Sequence, residues 1–371
     1  MSEAKHAVVI VDDSPVVRTL LKHIIDGSAD FFVAAQAGDG LEGVELIKKL
    51  RPAVVTMDVQ MPRMDGPSAI QEIMRECPTP IIVCSVLAFE GAPVVLKSLQ
   101  CGAFDFVTKP KSVLSDPNQF AQLLIGKLRA ALSANRESLA GAEDSSAAAP
   151  APSPARSEPA SKEPSALAPI AAELVAFGAS TGGPKTILSV LPHFPAGFPA
   201  AIVVALQDVP TPILKLIADQ LSKVCKLPVD MATPDRPIER GRILLVSGEH
   251  HAMVIRGAER DPILKLIEKN QSTEQSPALN GLFSSVAVAC PGKAVGVLLT
   301  GTGKDGALGI KKIRQSGGRT IAEDRRTAVV FDKPAAAIAL DVVDLVLPSP
   351  RIVEGILKLT AYEPAATATA R

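Results

Sequence analysis

Apolar residues come in short blocks along the first third of the chain: "AVVIVDD", "FFVAAQA", "AVVTMDV", "PIIVCSV" and "FDFVTK". Between them, segments such as "PVVRTLLKHII" and "GLEGVELIKKL" space their apolar residues three and four apart, as one face of a helix requires. That alternation predicts parallel strands joined by crossover helices. The same rhythm returns after residue 170 with "LVAFGAS", "AAIVVAL", "GRILLVSG", "HAMVIRG", "AVGVLLTG", "GRTIAED" and "DLVLP". Two or three of the middle strands are expected to be antiparallel, because their connections are too short for a helix. The predicted class is α/β in two domains. The first is a five-stranded parallel, flavodoxin-like sheet, and the second a doubly wound mixed, mostly parallel sheet.

Residues 133–168 break the pattern: they are Ala, Ser and Pro with hardly a large apolar side chain. Such a segment cannot bury enough surface to offset chain entropy, so it reads as a disordered linker. The expected division is 1–130, a linker over 131–169, and 170–365. Composition narrows the function classes. Lys plus Arg and Asp plus Glu both number 39, and with no Trp and one Tyr there is neither a basic stripe nor an aromatic platform for nucleic acid. The five cysteines are scattered without CxxC spacing, which predicts reduced thiols and no zinc site. No apolar run approaches the ~18 residues of a membrane helix, so no membrane span and a cytoplasmic location are expected.

Ligands of open α/β sheets bind beyond the carboxyl ends of the strands. In the first domain those ends carry Asp12 and Asp13, Asp58, Ser85 and Lys109. Converging carboxylates make an oxygen-rich site suited to Mg²⁺, held by Asp12, Asp13 and Asp58. A carboxylate oxygen of Asp58 would accept a phosphoryl group, Lys109 would contact it as a point charge, and the Ser85 hydroxyl would hydrogen-bond it. Any one of these Asp residues alone would be read as a helix cap or turn residue. "VDDSP", "MDVQMPRMDG" and "VTKP" resemble the signature of response-regulator receiver domains over residues 5–128. The resemblance implies phosphorylation of Asp58 by a histidine kinase.

The second domain offers three readings. "GASTGGPKT" has the G-x4-G spacing of a phosphate loop, but Pro184 displaces Lys185 and removes a backbone donor. "LTGTGKDGALG", followed by a strand ending in Glu323 and Asp324, has the form of a dinucleotide fingerprint, with Asp324 on a ribose. The third reading uses both turns: Ser180 at a glycine-rich strand-to-helix turn as nucleophile, neighbouring N–H groups for an oxyanion, and Asp305 from the second turn.

This last pattern resembles the catalytic domain of the chemotaxis protein-glutamate methylesterases, through "GASTGG", "LTGTGKDG", "TAVVF" with "PAAAI", and "GRILLVSGEHHAM" as a central hairpin. The receiver–linker–catalytic order is that family's order across essentially the whole chain. The resemblance implies hydrolysis of glutamate methyl esters on methyl-accepting chemoreceptors, with glutamine deamidation beside it, and no cofactor in the catalytic domain. It also implies that the receiver covers the cleft until Asp58 is phosphorylated.

The chain departs from that family at the base. Where the family reads Gln-His, this chain has Gln207-Asp208, making the triad Ser180, Asp208 and Asp305. A carboxylate at ~3.9 is a far weaker base than imidazole at ~6.5 unless burial raises it. His6 and His23 belong to the receiver, and His193 lies past the far end of the serine helix. His250 and His251 sit on a turn that can reach the cleft, with His251 as the substitute base. Further departures are Ser276, Ala278 and Asn280 for Arg, Ser and Asp, Thr302 for Met, Glu323 for Gln, and Asp332-Lys333-Pro334 for Gly-Met-Pro. Two expectations stand side by side: an esterase with an unusual base, and a phosphorylation-switched receptor- or kinase-binding module without turnover.

Overall fold

The computed structural model describes residues 5–85, 92–109, 117–143, 167–257, 261–268, 278–360 and 362, in two compact units, Met1–Ala151 and Pro152–Arg371. In the first unit, strands β1 (His6–Val11), β2 (Phe31–Ala37), β3 (Val54–Asp58), β4 (Ile81–Ser85) and β5 (Asp105–Thr108) alternate with helices α1 (Pro15–Asp26), α2 (Gly40–Leu50), α3 (Gly66–Glu76), α4 (Ala92–Gln100) and α5 (Pro117–Glu143). All pairings are parallel in the order β2-β1-β3-β4-β5. Strands β3 and β4 are buried along their whole length, as a central parallel strand covered on both faces must be. Helix α5 runs on to Glu143, into the segment expected as linker from residue 131. "SANRESLAGAE" is rich in residues of good helix propensity, which favours one continued helix over a break. The rest of the expected linker, residues 144–166, lies outside the described residues.

The second unit contains β6 (Leu174–Ala179), α6 (Gly183–Val190), β7 (Ala201–Leu206), α7 (Thr211–Val224), β8 (Val229–Met231), β9 (Arg236–Pro237), β10 (Ile243–Val246), β11 (His250–Arg256) and β12 (Pro262–Glu268). It continues with α8 (Ala278–Ala289), β13 (Ala294–Leu298), α9 (Ala307–Gln315), β14 (Arg319–Glu323), α10 (Asp332–Ile338), β15 (Leu345–Leu347) and α11 (Ile352–Leu359). Seven strands form one parallel sheet, β15-β14-β13-β6-β7-β10-β8, and the antiparallel strands stand apart as β11-β12-β9. The expected hairpin of "GRILLVSGEHHAM" is therefore corrected. Strand β10 is buried on both faces and joins the parallel sheet, whereas β11 alternates and pairs with β12, a strand the sequence reading omitted along with β8 and β9.

Strand order sets where a ligand can enter. From β6 the chain builds outward through β7 and β10, then crosses back to β13 on the other side, so the switch point falls between β6 and β13. The turns after these two strands carry Ser180 and Asp305. Beneath them α8 and α9 pack around Phe283, which is fully buried. A Cβ on Gly309 would sit 2.6 Å from the Phe283 Cβ, so the two helices approach through that glycine. Phe283→Ala should cost about 3–5 kcal/mol in the stability of the second unit. Calorimetry of the full chain would read this as a lowered transition for that unit, with the receiver transition in place.

Candidate active site

The first unit brings its five expected residues to one end of the sheet. One oxygen from each of Asp12, Asp13 and Asp58 lies within 4.8 Å of the other two. Like charges this close need a counter-charge, and Lys109 supplies it: Nζ lies 2.6 Å from Asp12 Oδ2 and 2.9 Å from Asp58 Oδ1. Burial alone would lower the Lys109 pKa, but the Asp58 and Asp12 carboxylates outweigh it and hold the ammonium above the ordinary lysine value. For Asp58, burial dominates and raises its pKa, with Lys109 opposing and Asp12 adding to the rise. Ser85 is buried, and its carbonyl accepts from the Lys109 N–H at 2.8 Å, which ties the two strand ends together. The "MDG" glycine has a steric reason. A Cβ on Gly66 would lie 2.8 Å from the Val59 Cα and collide with the Asp58 carbonyl oxygen. Three hard carboxylate oxygens on one rim, beside a buried cation, suit a hard divalent metal.

In the second unit the Ser180 hydroxyl is buried and has no hydrogen-bond partner among the described residues. Its backbone N–H donates to the Thr300 carbonyl at 3.0 Å, and the Gly183 N–H donates to the Ser180 carbonyl at 2.8 Å. Two donors of the turn are thus already engaged, and the N–H groups of Thr181 and Gly182 remain as its candidates for holding an oxyanion. The Asp305 carboxylate is engaged too. Oδ2 accepts from Gln207 Nε2 at 2.6 Å and from the Leu279 N–H at 2.9 Å, and Oδ1 accepts from the Asn280 N–H at 2.9 Å. Asp305 thereby caps the N-terminus of α8 from a neighbouring turn. Asn280 returns the service, its Oδ1 accepting from the Gly306 and Gly309 N–H groups at the start of α9.

Those caps overturn the dinucleotide reading. The helix N-terminus that a pyrophosphate would need is occupied by Asn280, and Asp324 is folded onto its own turn by Arg326 and Thr327. Asp208 is exposed with φ +60°. A Cβ on Gly248 would lie 2.5 Å from the Asp208 nitrogen, so this strained corner is packed by its backbone. His250 and His251 are also resolved by geometry. His250 lines a pocket with Gln207, Ser247 and Leu279, its Nδ1 3.0 Å from Ser247 Oγ. Strand alternation turns His251 to the opposite face. The histidine on the pocket side is therefore His250 and not His251. Ser276 lies outside the described residues.

Sequence reasoning noted Lys333 and Glu323 only as departures, and both are buried beside the serine turn. Lys333 is 2% exposed, and its Nζ donates to the Asp305 carbonyl at 3.1 Å. A Cβ on Gly301 would collide with Ser180 Oγ and lie 2.8 Å from both Cδ and Cε of Lys333, so hydroxyl and lysine flank one glycine. Burial lowers the Lys333 pKa below the ordinary lysine value, against the pull of Asp305, Asp208 and Asp332. Glu323 is fully buried, and its Oε2 accepts from the Thr300 N–H at 2.9 Å. Burial pushes its pKa up from 4.5 to about 7, Asp324 adding to the rise and the Thr300 N–H opposing it.

Fold and site together define a class: a receiver-like unit with an acidic carboxylate pocket, joined to a parallel α/β unit of hydrolase type with a serine turn at its switch point. Residues 8–115 match the response regulator receiver domain, and residues 175–356 match the CheB methylesterase family. A protein of Pyrococcus abyssi named protein-glutamate methylesterase/protein-glutamine glutaminase is 36% identical over 357 residues, covering 95% of this chain and 93% of its own. A protein of Agrobacterium fabrum with the same name is 36% identical over 354 residues, covering 95% and 96%. The crystal structure of the Thermotoga maritima CheB methylesterase catalytic domain matches at 31% identity and TM-score 0.48, covering 51% of this chain and all of that one. The chain belongs to the protein-glutamate methylesterase/protein-glutamine glutaminase family.

Glu323 generates a stability prediction. The folded chain holds the Glu323 proton to about pH 7, whereas the unfolded chain releases it near 4.5. The folded state therefore binds more protons between these values, and stability falls as pH rises through them, by on the order of 3 kcal/mol. Glu323→Gln keeps the acceptor for Thr300 and never ionises. Its melting temperature should match wild type near pH 4.5 and exceed it increasingly up to pH 8, whereas an unchanged gap across that range would contradict this account.

Proposed function

We propose that this chain is a phosphorylation-controlled protein-glutamate methylesterase that hydrolyses glutamate methyl esters on methyl-accepting chemoreceptors in the cytoplasm. Glutamine deamidation by the same acyl chemistry goes with it. Ser180 attacks the acyl carbon, methanol or ammonia leaves, and water releases the glutamate side chain. Asp305 positions the α8 N-terminus and Gln207 at the cleft. The observation that carries the reading is the Ser180 hydroxyl, buried without a partner among the described residues at the switch point. An unpaired buried hydroxyl costs on the order of 1–3 kcal/mol, a cost that a nucleophile has reason to bear and a packing residue does not.

In the receiver, Asp58 is the phosphoacceptor and a chemotaxis histidine kinase the donor, with Lys109 and Ser85 contacting the added group. Asp12, Asp13 and Asp58 would hold Mg²⁺, which would neutralise charge on the incoming phosphoryl group. The second reading, a binding module without turnover, is favoured by one observation: the residue at the family's base position, Asp208, is exposed, while the Asp305 carboxylate is engaged with Gln207 and α8.

Methanol release from methylated receptor separates the two. Wild type should exceed Ser180→Ala by at least roughly 10²-fold, and a small-molecule phosphodonor should change the wild-type rate but not that of Asp58→Asn. Equal rates for wild type and Ser180→Ala would leave the binding module.

A further inference from the structure

We propose that Lys333 is the general base that activates Ser180, so that the second unit works with a serine–lysine pair. This rests on the reading of Ser180 as nucleophile and supplies the base that reading lacks. Three features of the fold bring the lysine stem alongside the serine. The Gly301 N–H donates to the Val330 carbonyl at 2.9 Å and the Lys333 N–H to the Gly301 carbonyl at 3.1 Å, which pins the start of α10 against the turn after β13. Gly301 has no side chain, and the space a Cβ would fill is shared by Ser180 Oγ and the end of the lysine stem. The lysine nitrogen then reaches over that glycine to the Asp305 carbonyl.

The chemistry of the pair follows from what surrounds the amine. Its one hydrogen bond among the described residues is to a neutral carbonyl, while the carboxylates that act on it, Asp305, Asp208 and Asp332, make no ion pair with it within 4.0 Å. A buried ammonium without a contacting carboxylate is costly, and burial accordingly lowers the proton affinity of Lys333. Ser180 Oγ makes no hydrogen bond to Lys333 or to any other described residue, and catalytic contacts of this kind often tighten only when substrate binds; a neutral lysine then keeps one N–H for the Asp305 carbonyl and turns its lone pair to the serine hydroxyl. The exposed Asp208 gains a role as well: with Asp305 and Asp332 its charge favours the ammonium form of Lys333 against burial.

The step balances. The Lys333 amine takes the proton of Ser180 Oγ as that oxygen bonds to the ester carbonyl carbon, and the ammonium returns it to the departing methoxide, giving acyl-serine and methanol. Water then attacks the acyl-serine while Lys333 takes a water proton and passes it to Ser180 Oγ, giving the free glutamate side chain and the original pair.

The test measures the rate at which a fluorophosphonate probe modifies Ser180 in the full chain, across pH, alongside methanol release. Wild type should be modified at Ser180 with a rate that rises as one group deprotonates. Lys333→Met should lower the rate roughly 10²–10⁴-fold. Lys333→Arg should be as slow, since a guanidinium does not give up its proton. Asp208→Asn should move the midpoint to lower pH by removing a charge that favours the ammonium. Wild-type rates in Lys333→Met or Lys333→Arg would overturn the proposal, the latter showing that only a positive charge is needed. Where Lys333→Met also lowers the melting temperature, Lys333→Arg and the Asp208→Asn midpoint decide. Wild type modified no faster than Ser180→Ala removes the nucleophile and the base together. Lysine-dependent modification without methanol release leaves the pair assigned and removes the ester substrate alone.

Discussion

The second unit depends on a contact that only an absent side chain permits. At Gly301 the turn after β13 comes close enough to the serine turn that any Cβ would collide with Ser180 Oγ. The approach is locked by Thr300, which is fully buried: its carbonyl takes the Ser180 N–H, its N–H goes to Glu323, its hydroxyl donates to the Thr181 carbonyl, and that hydroxyl oxygen accepts from the Val330 N–H. Each polar group of Thr300 is thereby satisfied inside the crevice, and the two turns are tied together. The Ser180 hydroxyl and one Glu323 oxygen are left buried without a partner among the described residues.

Asp305 shows how a site residue can be a structural one at the same time. Its carboxylate closes the N-terminus of α8 while Asn280 on α8 closes the N-terminus of α9, so each helix carries the other's cap. Such reciprocal capping fixes the rim of the cleft to the Phe283 core below it. It also presents the Asp305 carbonyl to Lys333, so the fold's own scaffolding orients the amine.

Two of the buried lysines, Lys109 in the first unit and Lys333 in the second, show how geometry decides charge. Lys109 touches two carboxylates, and their attraction exceeds the burial penalty, so it stays a firm ammonium that holds the acidic pocket together. Lys333 feels three carboxylates without contacting them, and burial wins. The first arrangement suits a fixed counter-charge for phosphoryl chemistry, and the second suits a group that gives and takes a proton.

Much of this was legible in the amino-acid order. Period-two and period-3.6 patterning marked the long strands and the helices, and strand ends marked Asp12, Asp13, Asp58, Ser85, Lys109, Ser180 and Asp305, because strand termini of parallel sheets converge by construction. The short strands β8 and β9 escaped, being too brief to carry a period, and β10 was joined to the wrong partner because pairing is a property of two segments and not of one. His250 and His251 are adjacent in sequence, and only the register of β11 says which faces the pocket. Lys333 was the least legible of all. In "FDKPAAAI" a lysine in the first turn of a helix reads as a solvated charge, since local sequence carries no record of what packs over it. The sequence alone placed Ser180 in a glycine-rich turn and, through the family resemblance, led to the expectation that Asp208 stands where a histidine base would be. Only the tertiary structure, by folding α10 back onto Gly301, decided that a buried lysine stem lies across that glycine from the serine hydroxyl.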